Sequence, residues 1–363
     1  MPVAAILIPA LEPDDRLPAY VTELLEGGFR HVVVVDDGSS QKAQPIFDRM
    51  AAMPGVQVLH HDVNHGKGVA LKTGFRWMLD NLSDIDSVIT ADSDGQHTVP
   101  DCINLARTLA ADRESSLYLG SRDFNLPDVP ERSKKGNHIT STVFKLLYGQ
   151  YLPDTQTGLR AFRREELPMM LEVEGERYEY EMNQLIACAR RGIPMKAVTI
   201  KTVYENNNEG SHFHPIRDSW RIYKVILGSF FKFMFSSIVG WLVDQGMSHV
   251  LYYQLLPALG VAAKFMSPIA TTCARIVSAV VNYLLNRTMV FKSKEKGHES
   301  AWRYAVLALG IWGASTGITW LLEQLGLPMW LMKLVVDILL YFVSYRVQAD
   351  WVFSEKSKGG RKA

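Results

Sequence analysis

The chain has 363 residues, enough for two domains with cores of their own, and its 39 Lys and Arg against 38 Asp and Glu leave a formal charge of +1. So balanced a charge supplies no general field toward nucleic acid, and no nucleic-acid partner is expected. Three cysteines, Cys102, Cys188 and Cys273, form neither a CxxC pair nor a disulfide framework.

Mean hydropathy is near zero, high for a soluble protein. The average hides a split. Residues before Val225 are mixed and charged, with loops rich in Asp, Gly and Asn; from Val225 onward long apolar stretches dominate. At the N-terminus "AAILIP" is too short for a signal peptide and runs into the acidic "LEPDD", so the front half is expected to remain cytoplasmic.

In the front half, short apolar runs alternate with helical stretches. "AAILIP" (4–9) reads as a strand and "LPAYVTELLEGG" (17–28) as a helix closed by glycines. The strand "HVVVVDDGSS", the helix "QPIFDRMAAMP" and the strand "VQVLHHD" follow. Then come the helix "GKGVALKTGFRWMLDNL", the strand "SVITADSDG", a helix at "VPDCINLARTLAAD" and the strand "SLYLGSRD". Alternation with nearly all-apolar strands predicts an α/β, doubly wound, mostly parallel sheet. Ligands collect at the carboxyl ends of such strands. Each strand does end in polar residues: Pro9 to Glu12, Asp36 to Ser39, Asn64 to Gly68, Asp92 to Gln96, and Gly120 to Asp123. These are expected to converge on one cleft.

The junction "IRDSWRIYKVIL" (216–227) sets Ile216, Trp220, Tyr223 and Leu227 on one helical face and Arg217, Arg221 and Lys224 on another. That pattern predicts an in-plane interfacial helix, with basic groups toward lipid phosphates. Four apolar stretches follow, near 228–252, 267–285, 304–325 and 329–347, each about the ~20 residues a membrane span needs. The linker at 291–304 and the tail "SEKSKGGRKA" are basic, which predicts that both ends and the middle linker face the cytoplasm of a multi-pass membrane protein. The predicted organisation is thus an α/β domain at 1–215, an interfacial helix at 216–227, an all-α four-span domain at 228–353 and a tail at 354–363.

The membrane half repeats itself. "VNYLLNRTMVFKSKEK" from Val281 echoes "VSYRVQADWVFSEKSK" from Val343. Asn282 matches Ser344, Tyr283 matches Tyr345, and Val290-Phe291 match Val352-Phe353, which suggests two helix hairpins. Asp244, Arg275 and Asp337 fall at similar depths within spans, so they are expected to face one another or a wet cavity. A structural ion-pair cluster and a polar path for a lipid headgroup both fit. Lys333, nearer the outer end, is read as snorkelling.

The segment "TADSDGQH" (90–97) carries the chemistry. A lone DxD is weak, because Asp pairs are common in turns. Here the pair follows an apolar strand at the ligand end of the sheet. Hard oxygen ligands suit Mg²⁺ or Mn²⁺, ions that also bind substrate phosphates. Gln96 adds a third oxygen.

Taken together, "IPALEP", "VVVVDDGS", "NHGKGVALKTG", "ADSDGQH", "GSRD", "DTQTGLRAFRRE" and "YEYEMNQLIACARRG" resemble family 2 glycosyltransferases of the polyprenyl-phosphate type, similar to dolichyl-phosphate mannose synthase. The four-span half, with "VNYLLNRTMVF", resembles the GtrA-like membrane family. The resemblance implies a GT-A fold, a nucleotide-diphospho-sugar donor, a divalent metal and inverting transfer to a polyprenyl phosphate such as undecaprenyl phosphate. It favours a UDP-sugar, with a GDP-sugar also compatible. It implies that Pro9, Leu11 and Glu12 border the base and ribose, that Asp36 or Asp37 bonds the base, and that Lys67 lies near the base or diphosphate. Asp92, Asp94 and Gln96 would hold the metal, with Asp92 also meeting the donor. Arg122 and Arg132 would meet phosphates of donor or acceptor. Asp154, Gln156 and Thr157 would line the sugar pocket, Glu181 would approach sugar or acceptor, and Ser211 and Arg217 would reach the lipid phosphate. Asp94, Asp154 and Glu181 are the implied catalytic set. Two places depart from the pattern: His65 fills a variable position, and Asn183 replaces a more usual acid.

The chemistry stands beside the resemblance. A phosphate monoester acceptor is already anionic and needs little from a general base. The departing nucleoside diphosphate needs its charge neutralised, and two anions must be held together, which calls for Arg and Lys. Asp154 and Glu181 are therefore read chiefly as sugar-positioning groups, and for Asp154 a plain turn role also fits. His60-His61 and His212-x-His214 lack a third metal ligand, and Leu185, Cys188 and Ala189 read as core. A processive polysaccharide synthase is the runner-up enzyme, but its QxxRW motif is missing. A lipid-linked sugar translocator or scaffold with a degenerate transferase half is the non-enzymatic alternative. Sequence leaves open whether the membrane half translocates product or anchors the chain as a homo-oligomer.

Overall fold

The computed structural model describes residues 3–112, 117–124, 126, 129, 131–201, 215–293, 295–323 and 329–354. The chain divides into two units, Met1–Ile226 and Leu227–Ala363.

In the first unit the apolar runs do become strands. β1 (Ala4–Ala10) and β2 (His31–Asp36) are buried almost throughout, because sheet neighbours and helices cover both faces. β3 (Val56–His60), β4 (Ser87–Thr90) and β5 (Leu117–Arg122) follow as expected. Between them run α1 (Arg16–Glu26), α2 (Gln44–Ala51), α3 (Lys67–Asn81) and α4 (Val99–Ala111). Thr98 starts α4 as its cap, accepting from the Asp101 backbone N–H, while its hydroxyl donates to Asp101 at 2.6 Å. α5 (Glu131–Tyr148), β6 (Arg160–Arg163), α6 (Leu167–Glu172), α7 (Glu179–Arg191) and β7 (Met195–Ile200) complete the unit.

The seven strands stand in the order β3-β2-β1-β4-β6-β5-β7. From β1 the chain winds outward through β2 and β3, then returns to place β4 on the other side of β1. That reversal opens a crevice between the carboxyl ends of β1 and β4. The sheet is mostly parallel, as expected, with β6 antiparallel to both β4 and β5. Thr90, the last residue of β4, therefore pairs with Arg160, the first of β6. The "DTQTG" loop is thereby delivered to the ligand end of the sheet. α3 reaches the same place because two of its glycines allow close approach. A Cβ at Gly74 would fall 2.1 Å from Leu7 of β1, and one at Gly68 would fall 2.6 Å from Tyr180 of α7.

Where a short helix at 216–227 and a separate span were expected, one helix, α8 (Pro215–Val250), takes in both. Nothing local breaks it, since Gly228 stays helical. The second unit continues through a π-helical turn (Leu251–Leu255) and the short α9 (Leu256–Ala258) to α10 (Ala263–Leu285), α11 (Gly297–Glu323) and α12 (Met329–Val347). Three stretches among the described residues are long and apolar enough to cross a membrane: Ile222–Ala258, Ala263–Val290 and Gly297–Leu322.

The internal repeat is structural. α10 and α12 each end in a π-helical turn, Asn286–Val290 and Gln348–Val352, at matching places in the two copies. Equivalent residues meet: Asn286 donates to Gln348 at 2.9 Å, and Phe291 stacks on Phe353 at 5.1 Å. The remaining contacts are reciprocal, Tyr283 on Phe353 and Tyr345 on Phe291, both at 5.8 Å. Such pairing is what a two-fold relation between hairpins produces. The three charges of the spans do not meet at one point. Arg275 pairs with Asp244 at 3.4 Å, whereas Asp337 takes Lys333 at 3.0 Å and accepts from Ser315 at 2.8 Å. Lys333 is thus an ion-pair partner rather than a bystander, because one helical turn sets it over Asp337.

Asn286 also donates to Asn282 at 2.8 Å and accepts from Ser236, so it ties both copies of the repeat to α8. Asn286→Ala would strand those buried partners. It is expected to cost about 1–3 kcal/mol, read as a lower melting midpoint of the purified full chain; an unchanged midpoint would show the network to be dispensable.

Candidate active site

Two loops form one wall of the crevice. Glu12 follows β1 in the left-handed region at φ 48°, a strained setting for a non-glycine residue. Its backbone N–H donates to Ser39 at 2.9 Å, and its carboxylate accepts from the Ser40 backbone at 2.5 Å and the Ser40 hydroxyl at 2.9 Å. The β1 loop is thereby stitched to the β2 loop. Pro9 itself is buried inside β1 beside Val35, Leu11 is half-buried, and only Glu12 of the three is exposed.

Asp36 ends β2, Asp37 follows it, and both are buried. Asp36 accepts from the Ser39 backbone at 2.8 Å, Gln44 at 3.0 Å and His60 at 3.0 Å. Burial pushes its carboxyl up, but those hydrogen bonds outweigh burial and hold it below the usual carboxylate range. Asp37 accepts from His61 at 2.8 Å and from the backbone N–H groups of His65 at 3.0 Å and Gly66 at 2.8 Å. It therefore fixes the entry to α3, where Gly66 sits at φ 103°. Asp37 thus accepts three bonds of the roughly four its lone pairs allow, leaving one for a ligand, whereas the Ser39 hydroxyl adds a fourth to Asp36.

The first residue of α3 is the centre of the site. The Lys67 ammonium lies 2.7 Å from Asp92 and 3.0 Å from Glu181, and all three side chains are largely withdrawn from solvent. Burial alone would push the ammonium down; the two carboxylates outweigh it and hold Lys67 charged, above its ordinary value. Burial would likewise push Asp92 up, and Lys67 with His97 hold it well below the carboxylate range. His97 meets the second oxygen of Asp92 at 3.2 Å through Nε2, while its Nδ1 is buried with no hydrogen-bond partner. Gly158 lies against the same carboxylate: a Cβ there would fall 2.4 Å from Asp92 Oδ2. The Thr90 hydroxyl fixes that glycine by donating to its carbonyl at 2.8 Å.

Asp94 turns back on itself, accepting from the Gln96 backbone at 3.0 Å across Gly95 at φ 75°. Burial and then the charge of Asp92 push its carboxyl up. A carboxylate pair whose second member is hard to ionise is short of positive charge, which fits a divalent cation. Among the described residues no three His, Cys, Asp or Glu gather into a closed metal cage. Mg²⁺ and Mn²⁺ commonly take one or two protein carboxylates and complete their shell from phosphates and water.

Asp154 is fully buried and bound by Arg122, at 2.7 Å through Nε and 3.2 Å through Nη2. It also accepts from the Gln156 backbone N–H at 3.0 Å, which closes a turn. The Gln156 side chain is exposed, whereas Thr157 is buried. Arg122 presents its other face to Phe124, 5.1 Å from the ring centre. Ser211 lies outside the described residues, as do the side chains of Arg132 and Arg217.

Comparison with known proteins fits this geometry. Residues 5–167 match Glycosyl transferase family 2, and residues 232–353 match the GtrA/DPMS transmembrane domain. The undecaprenyl-phosphate mannosyltransferase of Micrococcus luteus is 30% identical over 54% of this chain and 82% of its own length. The UDP-N-acetylglucosamine–dolichyl-phosphate N-acetylglucosaminyltransferase of Methanococcus voltae is 28% identical over 55% of this chain and 85% of its own. The chain belongs to glycosyl transferase family 2. Among solved structures, glucosyl-3-phosphoglycerate synthase from Mycobacterium tuberculosis aligns with a TM-score of 0.46 and 16% identity over 62% of this chain and 79% of that one.

This membrane-bound glycosyltransferase uses residues that sequence reasoning passed over. Arg160 is fully buried and binds the Thr157 carbonyl at 3.0 Å, the Glu181 carbonyl at 2.6 Å and Gln184 at 2.8 Å. It staples the "DTQTG" loop to the start of α7, and so sets Glu181. In "RAFRRE" it reads as one of several surface arginines. His61 was set aside for want of a third metal ligand; its work is to brace Asp37. His97 stood in view, one residue beyond the last predicted metal ligand. Gly158 gave no sign beyond its place in "QTG".

Gly158→Ala should press on the Asp92 carboxylate of the transferase and on little else. Sugar transfer is expected to fall about tenfold or more, with a stability loss within the ~1–3 kcal/mol of overpacking. Transfer at the parental rate would show that Asp92 does not need its present position.

Proposed function

We propose that the protein transfers a sugar from a nucleotide-diphospho-sugar to a polyprenyl phosphate, undecaprenyl phosphate in a bacterial membrane, on the cytoplasmic face and with inversion. The observation that carries this reading is the state of the carboxylates. Asp154 is buried under Arg122, and Glu181 is held by Lys67. Neither is placed to take a proton from a sugar hydroxyl. An acceptor that arrives ionised asks for no such proton transfer, and a phosphate monoester is one.

In this reading the crevice between β1 and β4 takes the nucleotide. Asp37 accepts from the base with its remaining lone pair, or Asp36 does so in exchange for one of its present donors. Asp92 and Asp94, with Gln96, hold Mg²⁺ or Mn²⁺. Bound there, the metal would neutralise charge on the diphosphate leaving group. Glu181, set by Arg160, positions the sugar. Arg122, set by Asp154, presents its guanidinium to a phosphate, the geometry for which Arg is suited. A UDP-sugar is the favoured donor and a GDP-sugar the other candidate.

The membrane supplies the acceptor. α5 exposes Ile139 and Leu146 among Lys134, Lys135 and Lys145. Apolar side chains set among lysines suit an anionic lipid surface. The GtrA/DPMS domain, read as four spans from 228 to 353, anchors the chain there.

The direct test is the purified full chain with undecaprenyl phosphate and a panel of UDP- and GDP-sugars, with Mg²⁺, Mn²⁺ or chelator. One nucleotide-sugar is expected to yield a lipid-phosphate sugar, with product lost on chelation. Asp92→Ala should reduce transfer about a hundredfold or more while circular dichroism shows an intact fold. Undiminished transfer by that variant would sink the reading.

A further inference from the structure

Both oxygens of Asp92 already face partners from the chain itself. Oδ1 has the Lys67 ammonium at 2.7 Å and Oδ2 has His97 at 3.2 Å. The same ammonium reaches Glu181 at 3.0 Å and lies 5.9 Å from the ring centre of Tyr178. A second cation on Asp92 would have to stand beside the ammonium at Oδ1 and the imidazole at Oδ2. We propose that Lys67 is an internal counter-cation that closes Asp92 to divalent metal until a nucleoside diphosphate arrives, so that metal and diphosphate bind as a pair.

The inference rests on the metal-assisted reading given above and adds an order of events to it. A divalent ion on Asp92 Oδ1 would stand against the ammonium, and like charges at contact repel strongly in a partly buried site. Removing Lys67 from Asp92 without a replacement would strand a partly buried charge, which is costly. A diphosphate removes both obstacles. Its oxygens give the ammonium a new anion and give the metal the ligands that two aspartates cannot supply. The lysine is built to exchange partners: its charge sits on a flexible four-carbon stem, and only the head group is bound. Its backbone, by contrast, is fixed, because Asp37 holds the N–H groups of His65 and Gly66 just before it. The anchor stays while the head group moves.

Glu181 gains a second task in this account. It keeps the ammonium within reach of Asp92 from the far side, so that the lysine is not lost to solvent while the site is empty. The Arg160 staple on the Glu181 carbonyl fixes where that happens. The arrangement would also keep free metal from holding the site shut against the donor.

The test is Mn²⁺ binding to the full chain in nanodiscs, read by electron paramagnetic resonance of free Mn²⁺, with and without UDP or GDP. The parent chain is expected to bind Mn²⁺ weakly alone and tightly with one of the two nucleotides, and Asp92→Asn should abolish the tight binding. Lys67→Gln should raise the affinity for Mn²⁺ alone by about tenfold or more, and Lys67→Arg, which keeps the charge, should leave it low. Should Lys67→Gln not fold, Glu181→Gln loosens one of the two anchors and should raise nucleotide-free affinity severalfold. Unchanged nucleotide-free affinity in the folded variant, beside normal Asp92-dependent binding with nucleotide, overturns this proposal and leaves the metal reading standing. No Mn²⁺ uptake by the parent chain even with UDP or GDP overturns both.

Discussion

The ion pairs from Lys67 to Asp92 and Glu181 are the constraint around which the catalytic unit is arranged. Three charged groups are drawn out of water at one point, and they come from three distant parts of the chain: the start of α3, the end of β4 and the start of α7. Such a set is tolerable only if each group is held where the others need it. Much of the surrounding structure can be understood as that holding. Asp37 fixes the turn into α3. Thr90 and Gly158 confine Asp92. Arg160 sets the start of α7. Glycines at 68 and 74 let α3 lie close enough to β1 and α7 for the distances to close.

The reversed strand β6 belongs to the same requirement. A parallel strand beside β4 would have carried the "DTQTG" loop to the opposite end of the sheet. Running antiparallel, β6 begins where β4 ends, and Gly158 comes to rest on Asp92. The loop then does two things from one short stretch. Asp154 orients Arg122, and the carbonyl of Thr157 receives Arg160. Charged side chains so confined lose little entropy on binding a substrate, because the fold has already ordered them.

What the sequence disclosed follows from this division. β1 and β2 were legible because burial on both faces leaves nothing but apolar residues in "AAILIP" and "VVVV". The polar strand ends were legible for the same reason, being the points where burial stops. β6 was not, since "RAFR" carries two arginines in four residues and its direction depends on a pairing 70 residues away. The roles of His60 and His61 were hidden too. A histidine that braces an aspartate looks the same in sequence as one that binds a metal or nothing at all. In the membrane unit, the repeat was visible from Tyr283 and Tyr345, yet the partner of Asp337 was not. Lys333 was judged by its depth in the span, whereas its place one turn from Asp337 decided the pairing.

The two hairpins of the membrane unit pose a related problem of charge. Position 275 in the first copy is equivalent to 337 in the second, counted from the matched tyrosines. One carries Arg and the other Asp, and each has found an opposite or polar partner within its own hairpin. The repeat has thus kept a polar position at one depth while changing its sign. An isolated charge at that depth would be costly, so each sign needs its own neighbour, Asp244 for Arg275 and Lys333 for Asp337. Yet Arg275 remains 78% exposed at its side chain despite its partner. Pairing within the hairpin therefore answers the need for an opposite charge without withdrawing the guanidinium from its surroundings. Burial and neutralisation, which coincide at Lys67, are separate matters in the span, and the same kind of ion pair does different work in the two units.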